Sequence, residues 1–88
     1  MVYIVTFSVN SEDSRKRVRE VLKQYSSYCP IHKYCWAIGT NEKSVAIRDK
    51  IKVVLQPEES VFVIRSGTEA AWYNSPGEAN NKWLKENL

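Results

Sequence analysis

At 88 residues the chain has room for one domain, and its 43% hydrophobic and 11% aromatic content excludes a disordered tail or a linker. No apolar run reaches the roughly 20 residues that span a bilayer, and the N-terminus lacks the charged-then-apolar order of a signal peptide; the expectation is a soluble, cytoplasmic protein. A net charge of +3 is too small to establish nucleic-acid binding by itself, so the position of the charge matters more than its sum.

Residues 2–9 open the chain as a strand that is apolar on both faces, with Tyr3, Val5 and Phe7 on one side and Val2 and Ile4 on the other. Both sheet faces should therefore be covered. In so short a chain the helices are expected to cover one face, which leaves the other for a second subunit. A helix follows from the cap Asn10 or Ser11 to about Ser26, with Glu12 and Asp13 complementing its dipole. Val18, Val21, Leu22 and Tyr25 form its buried stripe, while Arg15, Lys16, Arg17, Arg19 and Lys23 make it the most basic stretch of the protein.

Pro30 cannot donate to a ladder and argues against a long central strand. Two short strands fit residues 28–32 and 33–39, the first at the sheet edge, although no glycine turn separates them. A second helix is expected from Thr40 to near Gln56, before Pro57, burying Ile47, Ile51, Val54 and Leu55. Val61-Phe62-Val63-Ile64 reads as a buried strand, residues 70–73 as a final strand, and Ser75-Pro76-Gly77-Glu78 as the capped start of a short helix carrying Trp83 and Leu84. The order predicts a single α+β domain over residues 1–88: a ferredoxin-like sandwich, βαββαβ, with an extra C-terminal strand and helix. If the hairpin fails, a small parallel flavodoxin-like α/β sheet is the alternative.

Cys29, Cys35 and His32 supply at most three ligands of a metal site, in neither zinc-ribbon nor redox spacing, so the cysteines read as reduced thiols near a strand.

The strand at 2–9, the basic helix, the segment Tyr34-Cys35-Trp36-Ala37-Ile38-Gly39-Thr40 and Val61-Phe62-Val63-Ile64 followed by Ala71-Trp72 together resemble the small CRISPR-associated adaptation nucleases, with their VapD toxin and SinR-like relatives. The resemblance covers most of the chain as a pattern of size, order and residue type. It implies two ferredoxin-like subunits paired sheet against sheet, with residues 70–73 exchanged and Ala71, Trp72, Tyr73 and Trp83 at the homodimer interface. It also implies phosphodiester cleavage with magnesium held by an aspartate at the end of the first strand. Here that stretch is Ser8-Val9-Asn10, whose neutral side chains are weak ligands for a hard cation, and Asp13 belongs to the helix cap.

No cofactor is therefore expected, and magnesium enters only if the chain is a nuclease. The leading expectation is a nucleic-acid-binding homodimer that contacts DNA or RNA phosphates through Arg15, Lys16, Arg17, Arg19 and Lys23. One alternative is a ribonuclease toxin of the same fold, whose candidate catalytic side chains are Ser8, Asn10, His32 and Tyr34, assisted by Lys33 and the arginines. Another is a phage or mobile-element module that occupies a host protein complex through its aromatic residues. Tyr3, Phe7, Tyr34 and Trp36 also read as stacking platforms on an open sheet, although the aromatic-glycine spacing of an RNA-recognition motif is absent.

Overall fold

The computed structural model describes residues 1–67, 71 and 77–87. Its elements are β1 (Val2–Ser8), α1 (Glu12–Leu22), β2 (Ser27–His32), β3 (Cys35–Gly39), α2 (Ser44–Lys52), β4 (Ser60–Arg65) and α3 (Glu78–Asn87). The strands form one sheet in the order β2-β3-β1-β4, and every neighbouring pair is antiparallel. This α+β arrangement of a four-stranded antiparallel sheet and three helices is compatible with a small ferredoxin-like fold. The parallel flavodoxin-like alternative is ruled out by the three antiparallel ladders.

Alternation along the strands builds the main core. Tyr3, Val5 and Phe7 of β1 share a face with Trp36 and Ile38 of β3 and with Val61 and Val63 of β4, as their register requires. Onto that face α1 lays Val18 and Leu22, and α2 lays Ile47 and Ile51, all four completely buried. The N-cap of α1 is Ser11, whose Oγ accepts the Ser14 amide at 3.1 Å; Asn10 instead gives its own amide to Glu59. The helix ends at Leu22 rather than near Ser26. Its last turn tightens into bonds from the Gln24 and Tyr25 amides to the Val21 and Leu22 carbonyls, which still leaves Tyr25 packed on the core.

The hairpin forms without glycine. Lys33 and Tyr34 make the turn between β2 and β3, and a register shift between Pro30 and His32 absorbs the irregularity there. Because β2 is an edge strand, the missing amide of Pro30 removes no ladder bond. The helix α2 is shorter than its sequence pattern at both ends. Thr40 Oγ1 accepts the Glu42 amide in a turn before it, and after Lys52 the amides of Val54 and Leu55 bond three residues back.

Two features of the second sheet face differ from expectation. The C-terminal helix α3 lies on it: Leu84, 1% exposed, packs with Cys29 and Ala37, while Val2, Ile4, Ile31 and Trp83 flank them. Three hydrogen bonds fasten α3 to β2, from Trp83 Nε1 to Ser27 Oγ, from Asn80 Nδ2 to the Pro30 carbonyl, and from Cys29 Sγ to the Asn80 carbonyl. Helices thus cover part of both faces within one chain. The strand β4, read from its continuous apolar run as buried, is instead the edge beyond β1 among the described residues; Phe62 and Ile64 on the second face are 61% and 51% exposed. A continuous apolar run cannot distinguish a strand buried on both faces from an edge strand whose outer face awaits a partner.

The strand expected at 70–73 lies outside the described residues except for Ala71, which is exposed and in no strand. Ser75 and Pro76 of the expected capping box also lie outside them, and α3 starts after Gly77, whose φ of 87° suits glycine. Among the described residues no helix is long and apolar enough to cross a membrane.

Candidate nucleic-acid interface

The helical twist divides the basic stretch of α1 into three directions. Val18 and Leu22 point into the core, so Arg15 and Arg19, four residues apart, fall together on the flank that faces β2. Arg17 falls on the opposite flank, where its guanidinium donates to Ser14 Oγ at 3.0 Å and lies near Glu59. Lys16 and Lys23 stand exposed on the outward side. The five cations do not form one surface.

Arg15 and Arg19 form one wall of a groove of about 320 Å³, completed by Pro30, His32, Lys33 and Trp36. The edge strand β2 supplies the facing wall through Pro30 and His32, and the buried Trp36 of β3 forms its floor. At the groove's end Glu12 accepts from Arg15 Nε at 3.0 Å and from Lys33 Nζ at 3.2 Å, spanning α1 and the β2–β3 turn. These two contacts, Arg15 first, hold the Glu12 carboxyl down to about 2. The Arg15 side chain is 17% exposed and held in place by that bidentate pair. Glu12 thus meets Arg15 and Lys33, and with Arg19 in the lining the groove is left net positive.

Aromatic rings border the same groove. Tyr34, 42% exposed, lies beside Lys33 with the ammonium 5.8 Å from its ring centre, and its other edge meets Phe7 at 6.0 Å. Its carbonyl accepts the Phe7 amide at 3.0 Å, which fastens the turn to the end of β1. Tyr28, 38% exposed, stands two residues before Pro30 on the same face of β2, its ring 5.5 Å from that of Trp36 and tilted by 32°.

The structure thus brings His32 into the groove with Arg15, Arg19 and Lys33, and puts Tyr34 at its end. Ser8 is exposed at the end of β1, paired with Ser60, and Asn10 is exposed in the loop that follows. Neither lines the groove. Trp83 serves α3 docking within the chain, Ala71 is exposed, and Trp72 and Tyr73 lie outside the described residues. Of the expected stacking platforms, Tyr3, Phe7 and Trp36 are buried beneath the helices; only Tyr34 is open.

Sequence reading missed Pro30 as part of the groove's wall and Tyr28 as the ring beside it. Their signal was present in the two-residue spacing, which places them on the helix-facing side of an edge strand. It also missed Glu59, 8% exposed, whose oxygens accept the Asn10 amide at 2.8 Å and the Gln56 amide at 2.7 Å. Those two backbone bonds hold its carboxyl below the usual range and tie the β1–α1 loop to the α2–β4 loop.

The donors near the end of β1 do not fit a magnesium site. Ser8 and Asn10 are neutral, both oxygens of Glu59 are taken by backbone amides, and Glu12 is neutralised by Arg15 and Lys33. Among the described residues no three His, Cys, Asp or Glu side chains converge on a metal-sized site, so Cys29, His32 and Cys35 do not make one. Both thiols are free, and burial pushes each up and away from the reactive thiolate. In comparisons with protein-family models and with curated proteins, the chain matches none of them.

Proposed function

We propose that this protein binds nucleic acid through the groove between α1 and β2, acting as a cytoplasmic homodimer that resembles CRISPR-associated adaptation proteins and their VapD and SinR-like relatives. The observation that carries the reading is the meeting of Arg15, Arg19 and Lys33 beside His32 in one groove between α1, β2 and the β2–β3 turn. Phosphate contacts need cations whose positions are already held, because immobilising long side chains costs entropy on binding. The Glu12 contacts hold two of the three.

The test is a mobility-shift titration at about 50 mM and about 200 mM salt, where counterion release makes phosphate-driven binding fall steeply. The double variant Arg15→Ala/Arg19→Ala should bind at least about tenfold more weakly and show a shallower salt dependence. Unchanged affinity would contradict the reading, since the groove would then be a solvated surface.

A second reading, a metal-independent ribonuclease, is favoured by one observation: His32 lines the same groove as the cations that would stabilise a pentavalent phosphorane. Cleavage of RNA in chelator, lost in His32→Ala while binding persists, would select it. Binding without cleavage selects the first reading.

Homodimerisation is supported by the half of the second sheet face that α3 leaves open, where Phe62 and Ile64 stand exposed on β4. A second copy seated there would bury the same residues from both partners, as a two-fold interface requires.

A further inference from the structure

We infer that the groove takes a single nucleic-acid strand rather than a duplex, with bases stacked on Tyr28 and Tyr34 while the phosphates follow Arg15 and Arg19. The inference rests on the nucleic-acid reading above and specifies its substrate class. Three observations carry it.

The first is the pairing of unlike walls. On the α1 side the groove presents guanidinium groups, and on the β2 side it presents Pro30, His32 and, adjoining them, the open ring of Tyr28. A strand with its backbone on one wall and its bases on the other matches that division. A duplex turns its base faces inward and offers only phosphates and groove edges, so the aromatic wall would have nothing to contact.

The second is size. A volume of about 320 Å³ lies at the small end of ligand pockets and suits a single nucleotide of a strand, whereas a duplex would ride across protruding cations. Lys16 and Lys23, exposed on the outward side of α1, are not in the groove.

The third is the support behind the rings. Tyr28 rests against Trp36, which is fixed in the core, and Tyr34 meets Phe7 edge-on, so both open rings are held by buried aromatic neighbours. Such rings lose little freedom when a base stacks on them. Lys33, beside the Tyr34 ring, puts a cation within reach of the phosphate next to a stacked base.

The experiment measures fluorescence anisotropy of labelled single strands of about ten nucleotides, as RNA and as DNA, and of the duplex of the same sequence, at low salt. Wild-type protein, Tyr28→Ala, Tyr28→Phe and the Arg15→Ala/Arg19→Ala double variant are compared, with circular dichroism confirming that each folds. Single strands should bind at least about tenfold more tightly than duplex; Tyr28→Ala should lose about tenfold on single strands while Tyr28→Phe retains binding. The RNA and DNA arms separate the two sugars, because only RNA carries the 2′-hydroxyl. Equal or tighter binding of the duplex, or wild-type affinity in Tyr28→Ala, overturns the single-strand inference and leaves the nucleic-acid reading intact. Absence of binding to every probe overturns both.

Discussion

Glu59 shows how much one side chain can organise on the flank of α1 opposite the groove. Its carboxylate accepts two backbone amides from two loops and lies near Ser14 and Arg17, so the end of β1 and the start of α1 depend on its charge. The folded state holds this acid below its ordinary value, so its contribution is present above the unfolded value and is lost as pH falls through the lower folded one. Urea midpoints measured at about pH 6 and about pH 3.5 should therefore drop on acidification, and Glu59→Gln should flatten that drop while lowering the midpoint at the higher pH. An unchanged pH dependence in the variant would show that the loops are held by other contacts. Glu12 is also lowered, but it is exposed and acts on the groove's charge more than on stability. Its replacement by Gln removes the one negative charge at the groove mouth, and low-salt affinity for nucleic acid should rise several-fold. A fall in affinity would mean that presetting Arg15 and Lys33 matters more than their net charge.

Among the elements, α3 departs most from expectation. Its apolar stripe is thin, yet Leu84 is fully buried against Cys29 and Ala37, and side-chain bonds from Trp83 and Asn80 anchor the helix to β2. Leu84→Ala should cost about 2 to 4 kcal/mol in urea denaturation, the usual range for a leucine cavity in a packed core. A loss below about 0.5 kcal/mol would show that α3 is not docked in solution. The strand faces and helix stripes were legible because their periods of 2 and 3.6 are local properties of the chain. Val5, Val18, Leu22, Ile47 and Ile51 all fall in the core that those periods mark. Boundaries were less legible. The ends of α1 and α2 depend on turns closed by Thr40 and by the carbonyls of Val21, Leu22, Ile51 and Lys52, and similar apolar spacing continues past those points.

At the scale of the whole molecule, the antiparallel sheet with β2 at its edge agrees with the element order and with Pro30 in the second strand. The docking of α3 onto the second face and the exposure of β4 were not legible there, because both depend on contacts between segments far apart in the chain. The groove was half legible for the same reason. The cations of α1 were visible, but their division among three directions and the meeting of Arg15 with Lys33 and His32 required the fold. The open half of the second face gives a separate expectation: light scattering at micromolar concentration should give twice the chain mass, and Phe62→Asp should give a folded monomer. A wild-type monomer would contradict the dimer and leave the groove untouched. The central claim is that nucleic acid is held between α1 and β2, and amide chemical-shift mapping during titration with a short single strand tests it most directly. Shifts should concentrate at Arg15, Arg19, Tyr28, His32, Lys33 and Tyr34 and diminish as salt is raised; shifts confined to β4 or α3, or none at low salt, would contradict it.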